Sequence, residues 1–588
     1  MLRSISFFAI VILLLLLFIF YPQAEKISAG IALLLFGMVI LEEGFKVFSK
    51  GSLQKIIKNA TNTLSKSIGI GALVTALMQS SSLVSVITIS FISAGLITLD
   101  AGIGIIFGAN IGTTSTAWLV AAFGLKIKIS AFALPMLVFG VLFTFQKKKW
   151  QRGLGNILLG LGLFFLGIHY MKEGFEVFNQ YLDLSKFAIS GYKGVFIFAF
   201  LGIAITAILQ SSSATLALVL TALAANQITY ENALALAVGS NIGTTITAII
   251  GSIGANIAGK RLALAHLIFN FVTGIFALIF IFPFARFVDF LSGAIGIVST
   301  DYTLKLAVFH TIFNIFGVLI ILPFLGRLTT WLTKYVGSTN DKDIDQPKFL
   351  NENAIKVPAT MLSAVEKETK HLFENALFEI VTHAINVHRD DVLMSLKPKE
   401  IAKKSTREIS IDVSESYYNK VKTIYSKIIT YSIAAQANLN LSNAQIKKLG
   451  EIKTANRKMV EIIKTLLDLR PNISNFLYTE NPHLKKEYNK LRKKIIRLWQ
   501  LIIEVQKSPE QLGAENYQKL QDLKAKAKER NKISSNSIDK LIRNQLISPE
   551  EAASLINDYS NVNDIRKKLI EVTEILYLSK DNLLEKNT

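Results

Sequence analysis

ALMQSSSLVSV, residues 76–86, places one glutamine and three serines inside a stretch that is otherwise almost wholly apolar, and AILQSSSATLA, residues 207–217, does so again. Taken alone, such a run has two explanations: hydroxyl and amide groups that glue helices together, or a binding site. The surroundings decide between them. Residues 1–335 are apolar, Gly-rich and sparsely charged, whereas 340–588 are crowded with Lys, Glu, Asp and Asn. That split reads as a membrane part followed by a soluble part.

The totals agree with the split. Of 588 residues, 51% are hydrophobic, too many for an ordinary soluble enzyme. The net charge of +21 comes without a basic stripe interleaved with aromatics, so nucleic acid is not implied. Lysines kept on the cytoplasmic side of a membrane account for it more simply. The absence of cysteine excludes disulfides, thiolate metal sites and Cys nucleophiles. No nucleophile–base pair, phosphate-binding GxxxxGK loop or metal cluster stands out, which argues against an ATP-driven pump or a membrane enzyme.

Apolar segments near the ~20 residues needed to cross a bilayer occur at about 5–21, 28–48, 101–123, 129–146, 153–178, 232–253, 262–282 and 303–325. The first is read as a retained helix rather than a cleaved leader, because Tyr21 is bulky where a cleavage site wants a small residue. Basic segments at 46–66, 146–152 and Gly259-Lys260-Arg261 belong inside. If 46–66 and 146–152 are both inside, the stretch 67–97 starts and ends on one face. It is too short for two crossings. A re-entrant hairpin turning near Ser80–Ser82 fits, and broken backbone at that depth is tolerated only within protein or around a water-filled cavity.

The chain also repeats itself, 130–131 residues on. EGFKVF (43–48) returns as EGFEVF (173–178), QSSS (79–82) as QSSS (210–213), ITLD (97–100) as ITYE (228–231), and GANIGTT (108–114) as GSNIGTT (239–245). Segment 28–48 runs towards its lysine-rich end, whereas 153–178 begins at a basic loop, so the halves are inverted. Inverted repeats with interrupted helices are an architecture of secondary transporters, with the site near mid-membrane. The expected fold is therefore an all-α integral membrane protein, an inverted-repeat transporter with two re-entrant hairpins and a cytoplasmic helical bundle.

The polar groups that QSSS and NIGTT supply are all neutral. Helix N-termini exposed at a hairpin turn attract anions, and serine and glutamine donors help without burying a fixed charge. Freed carbonyls and Ser, Thr, Asn and Gln oxygens suit a small hard cation. His266 with Asn270, and His310 with Asn314, share helix faces at i,i+4 and are read as interhelical hydrogen-bonding pairs. Asp100 and Glu231 are read as helix-start acids, and His169 as a packed side chain. Glu43 and Glu173 stay open between gate and anchor.

QSSS twice, each followed about 30 residues on by NIGTT, resembles the type II sodium–phosphate cotransporter family in its bacterial branch, over roughly 28–330. The resemblance implies sodium-coupled transport of inorganic phosphate by alternating access across the plasma membrane, with sodium as the co-transported ion and no organic cofactor. It assigns phosphate binding to Gln79, Ser80, Ser81, Ser82, Gln210, Ser211, Ser212 and Ser213. Asn110, Thr113, Thr114, Asn241, Thr244 and Thr245 match the second motif as sodium or site-lining residues. Three alternatives stand beside it: transport of another oxyanion or a carboxylate, sodium-independent phosphate export, and a phosphate sensor or scaffold signalling through the soluble part.

The organisation expected is an N-terminal transmembrane helix (1–27), a first transport repeat (28–152), a second with closing helices (153–335), a polar linker (336–357) and a helical domain (358–588). In the last, apolar residues recur at three- and four-residue steps, which suggests an antiparallel bundle. Its position resembles the PhoU-like domains appended to bacterial relatives, although the acidic metal-binding pattern of that family is not evident. His383, His388, Asp390 and Asp391 are read as a solvated helix end rather than a metal site. A homo-oligomer or a cytoplasmic regulatory partner would act through 358–588.

Overall fold

The computed structural model describes residues 11–12, 15–22, 24–49, 63–126, 132–179, 188–337, 347–350, 355, 358–394, 396–405, 408–507, 518–525 and 538–578. Among them there is no strand. The chain divides into two compact units, Met1–Ser338 and Thr339–Thr588.

The first unit contains α1 (Ala24–Ser49), α2 (Leu64–Met78), α3 (Ser81–Ser93), α4 (Leu99–Trp118), α5 (Ala133–Thr144), α6 (Lys149–Asn179) and α7 (Gly191–Leu209). It continues with α8 (Ser212–Ala224), α9 (Tyr230–Ser252), α10 (Ile257–Ile279), α11 (Ile281–Ala294), α12 (Tyr302–Ile321) and α13 (Leu325–Tyr335). Seven described helices are long and apolar enough to cross a membrane: Ala24–Val47, Leu99–Gly124, Lys149–Phe178, Gly191–Leu209, Tyr230–Ser252, Ile257–Ile279 and Tyr302–Tyr335. Large apolar side chains, among them Phe145, Phe200, Ile208, Ile253 and Phe290, stand exposed while Ser, Thr, Asn and Gln are buried. Apolar outside and polar inside is the pattern that lipid selects. The protein is an all-α, multi-pass membrane protein.

Six of the eight expected spans reappear in that set. The segment 129–146 holds only the 12-residue α5, with 127–131 outside the described residues. Of the segment 5–21, residues 5–10 and 13–14 lie outside them, as do Lys50, Lys55 and Lys58 of the basic stretch 46–66. One arm differs in length. Tyr192, Lys193 and Gly194 belong to the stretch of about 179–197 whose sparse charge reads as an external loop, yet they form the first turn of α7, where Lys193 stays exposed. At 19 residues, α7 is long enough to span.

The inversion is visible in how the repeats touch. Helices α1 and α6 pack antiparallel through glycines spaced seven apart. A Cβ on Gly37 would stand 2.7 Å from the Gly160 carbonyl oxygen, and one on Gly160 2.7 Å from that of Gly37. Gly30 and Gly167 face each other in the same way. Because Gly30 and Gly37 correspond to Gly160 and Gly167 along the repeat, the interface is self-complementary, as a two-fold axis requires. Within each half, the first hairpin arm crosses the NIGTT helix at a glycine. A Cβ on Gly108 would lie 1.9 Å from Ile68 O, and one on Gly239 2.0 Å from Ala199 O. Only hydrogen fits there.

Thr98 and Thr229 cap α4 and α9, with Asp100 and Glu231 in the first turns, as expected of helix-start acids. His169 is not packed. Its side chain is 44% exposed and lies 3.5 Å from Glu173, which also meets Lys26 at 3.3 Å. A lone histidine in an apolar sequence reads as core, but the carboxylate one turn on gives it a polar partner at the helix surface. Glu173 thus holds the end of α6 beside the start of α1.

The regular elements described in the second unit are all helices, chief among them α14 (Pro358–Leu372), α15 (Thr423–Asn438), α16 (Asn443–Leu477), α17 (Pro482–Lys507) and α18 (Pro549–Tyr577). Capping boxes open α16 (Ser442 with Gln445) and α18 (Ser548 with Glu551). Trp499 stacks at 4.4 Å on Phe378 in the core. Arg492, fully buried, donates to the carbonyls of Ile385, Asn386 and Ala402. Desolvation lowers its pKa to about 10, so it remains charged at neutral pH.

Candidate functional site

Each QSSS run is the turn between two helices. Helix α2 ends at Met78, Gln79 adopts the left-handed conformation (φ 53°, ψ 25°), Ser80 is extended, and α3 starts at Ser81. The second copy repeats this backbone, with Gln210 at φ 53°, ψ 24° and Ser211 extended before α8. The first serine is the N-cap in both: Ser80 Oγ accepts from Leu83 N (3.3 Å) and Ser211 Oγ from Ala214 N (3.2 Å). Capping spends one helix-start N–H and leaves the two before it, on Ser81 and Ser82 or on Ser212 and Ser213, without an intrahelical acceptor. The sequence therefore builds the same donor-rich tip twice.

The two tips are bridged. Thr116 Oγ1, on α4, donates to Gln79 Oε1 (2.8 Å) and lies 3.1 Å from Ser213 Oγ of the other hairpin. Its counterpart Thr247, on α9, reaches Ser82 Oγ at 3.2 Å. The third serine of each hairpin thus meets a threonine of the opposite repeat. Ser115 adds a contact in the first half only, accepting from Gln79 Nε2 at 2.9 Å. Sequence reading missed Thr116, Thr247 and Ser115. The signal was present, since NIGTTSTA and NIGTTITA agree again at 116 and 247.

The tips differ in engagement. Gln79 is 8% exposed and bonded, whereas Gln210 is exposed with no side-chain hydrogen bond among the described residues. Opposite Gln210, the place of Ser115 is taken by Ile246, which has no hydroxyl.

The NIGTT residues line the same helices in two ways. Thr113 and Thr114 donate to Ala109 O and Ile111 O, and Thr244 and Thr245 to Ser240 O and Ile242 O, each at 2.7–3.0 Å. A threonine whose proton is spent on its own helix offers only lone pairs outward, which suits a cation. Asn110 Nδ2 bonds Ile106 O. Asn241 is engaged away from the serines, giving Nδ2 to Asn314 Oδ1 (2.8 Å) and placing Oδ1 3.1 Å from His310 Nε2. The pair His310–Asn314 thus bonds between helices, as expected. Among the described residues the pair His266–Asn270 does not: Asn270 Nδ2 donates to His266 O of its own helix, and Asn270 Oδ1 has no partner.

Among the described residues no group of three or more His, Cys, Asp or Glu is placed to hold a metal ion. The rings of His383 and His388 are 5.9 Å apart, while Asp390 and Asp391 occupy the first turn of a short helix.

The sequence profile described as Na+/Pi-cotransporter matches residues 33–173 and 184–320. YqeW of Bacillus subtilis (strain 168), an uncharacterized protein, is 30% identical over 309 residues, which cover 50% of this chain and 92% of YqeW. YjbB of Escherichia coli (strain K12), named for inorganic phosphate export, is 27% identical over 344 residues, 58% of this chain and 61% of YjbB. The chain thus spans about three-fifths of that relative. Human sodium-dependent phosphate transport protein 2B is 54% identical over 52 residues, 9% of this chain and 8% of that protein. No solved structure matches the chain.

Proposed function

Because the chain belongs to the Na+/Pi-cotransporter family, we propose that it carries inorganic phosphate across the plasma membrane, coupled to sodium, through a site between the two QSSS tips. The observation that carries the reading is the reciprocal bridge, Thr116 to Ser213 and Thr247 to Ser82, which ties each tip to the other repeat. Phosphate is held by the helix-start N–H groups of α3 and α8, by the serine hydroxyls and by the amides of Gln79 and Gln210. No fixed positive charge is needed at that depth. Sodium, held by threonine and carbonyl oxygens, offsets the anion's charge and lowers the cost of taking it from water. Alternating access follows from moving one hairpin against the other repeat.

The orientation follows from the basic ends. Gly44 at the end of α1 approaches Gly153 at the start of α6, so Lys46 and Lys147–Lys149 share a face. Arg261 bonds the carbonyls of Thr333, Val336 and Gly337, placing the chain's exit from the membrane unit beside the Lys260-Arg261 turn. Those faces are cytoplasmic by the positive-inside rule, and residues 358–588, a PhoU-like bundle on this reading, follow inside.

The test is phosphate flux in proteoliposomes under an imposed sodium gradient, repeated with choline in place of sodium. Flux that collapses in choline is expected. Flux unchanged in choline removes sodium coupling and leaves the export reading that YjbB's name suggests. Binding without flux in either condition leaves the sensor.

A further inference from the structure

Within the second unit a cavity of about 740 Å³ is lined by Lys397, Lys399, Lys493, Arg497 and Lys519, with two acids, Glu504 and Asp522, among the described residues. The volume lies in the range of small-molecule sites. Several cations elsewhere in this unit are paired: Lys370 and Lys448 with Glu366, Lys420 with Glu379, Lys458 with Glu571, Lys524 with Glu574, Lys568 with Asp564. Around the cavity, Lys397, Lys399, Lys493 and Arg497 have no carboxylate within salt-bridge distance among the described residues. Lys493 and Arg497 stand one turn apart on α17, an arrangement of like charges that disfavours a helix. Neither folding nor the core gains from it.

The walls also have an order. Lys493, Arg497, Gln500 and Glu504 fall on one face of α17 and run along about 16 Å of it. One end of that face is cationic. The other carries Glu504 beside Leu501, with Leu523 also lining the cavity. Gln500 Nε2 donates to Leu396 O (2.7 Å), which ties the segment just before Lys397 and the short helix Pro398–Lys404, which carries Lys399, to α17. A bare anion would leave the apolar and acidic end unused.

We propose that this cavity binds a nucleotide-class ligand, its phosphate chain on Lys397, Lys399, Lys493 and Arg497 and its organic part towards Leu501 and Glu504. Arg497 grips phosphate oxygens as a fork and the lysines as point charges. Glu504 accepts a hydrogen bond from a hydroxyl or amine of the organic part. The site is independent of the transport reading, because it is measured as binding rather than flux.

The experiment uses the full chain in neutral phosphatidylcholine nanodiscs and a fluorescent ATP analogue as probe. Saturable binding is expected, displaced by tripolyphosphate and far more weakly by orthophosphate. Affinity falls at least tenfold in R497Q and further in the K493Q/R497Q double variant, with unchanged melting. E504Q weakens the ATP analogue while leaving tripolyphosphate as it was. Q79A binds like the unaltered chain, which separates this cavity from the membrane site. Absence of saturable binding, or equal affinity in the double variant, overturns the proposal. Equal weakening of both probes in E504Q overturns the assigned orientation. Repeating the titration in phosphatidylglycerol discs separates the two sources of phosphate: unchanged affinity keeps the soluble ligand, and competition by the lipid assigns the cavity to an anionic headgroup instead.

Discussion

Gln79→Ala and Gln210→Ala remove the same side chain from the same backbone conformation, yet the surroundings predict different costs to the fold and the same cost to transport. Gln79 is buried and makes two side-chain bonds to α4, with Ser115 at 2.9 Å and Thr116 at 2.8 Å. Each such bond between membrane helices contributes about 0.6 kcal/mol on average and up to ~1.5 kcal/mol in soluble hosts. Gln79→Ala should therefore destabilise by roughly 1–3 kcal/mol. Gln210 is exposed and has no such bond, so Gln210→Ala should stay within ~0.5 kcal/mol, as surface changes do. The left-handed φ of 53° strains alanine as it strains glutamine, and Gln79→Gly should recover about 1 kcal/mol of that strain. If both amides hold phosphate, each loses a hydrogen bond to a charged group, ~1.5–3 kcal/mol, or roughly ten- to hundredfold in transport. Thermal melting in detergent reads the first quantity and sodium-driven phosphate flux the second. Normal flux in Gln210→Ala, with only Gln79→Ala impaired, would show that activity follows packing, and the binding role of QSSS would be lost.

Thr116→Val and Thr247→Val keep shape and remove the hydroxyls that link the repeats; flux should fall at least tenfold in each, and wild-type kinetics in both would remove the bridge from the mechanism. Gly108→Ala and Gly239→Ala would put a methyl 1.9 or 2.0 Å from a carbonyl oxygen of the neighbouring helix. Overpacking of that kind costs about 1–3 kcal/mol or more, and melting temperature and folded yield should drop in both, whereas equal melting would show that the helices part freely.

Much of this was legible because polar residues in an apolar run have few reasons to exist. QSSS and NIGTT announced themselves by contrast, and their recurrence 130–131 residues on was a pattern that no single helix needs. What stayed hidden depended on partners rather than on the run itself. Thr116 and Thr247 look like any threonine two places past a motif, because Ser115 and Ile246 interrupt the match between the copies. That interruption then makes the two tips unequal. A serine on α4 receives the amide of Gln79, while an isoleucine at the matching place on α9 leaves Gln210 without one. His310 and His266 sit in near-identical hexapeptides, and only the presence of Asn241 opposite the first separates an interhelical bond from a local one. The length of α7 was missed for a simpler reason, since Lys193 reads as loop unless its side chain is allowed to reach outward from a helix end.

The use of hydroxyls and amides, rather than ion pairs, at the meeting of the tips bears on how the repeats would exchange conformations. Breaking a buried ion pair leaves an uncompensated charge and costs about 3–5 kcal/mol. Releasing Gln79 and Ser213 from Thr116 gives up neutral bonds of about 0.6–1.5 kcal/mol each. That is small enough for the differential binding of one phosphate with sodium to reverse a preference between two states. The backbone of the two tips is already the same within 15° at every angle of the turn; only their side-chain partners differ. On the alternating-access mechanism proposed above, halves that share a fold but hold their tips unequally would exchange the engaged and the disengaged tip between the two states. On the same proposal, the Ser115–Ile246 difference would set which tip is engaged at rest. Ile246→Ser should draw Gln210 inward and shift the resting balance towards the opposite face.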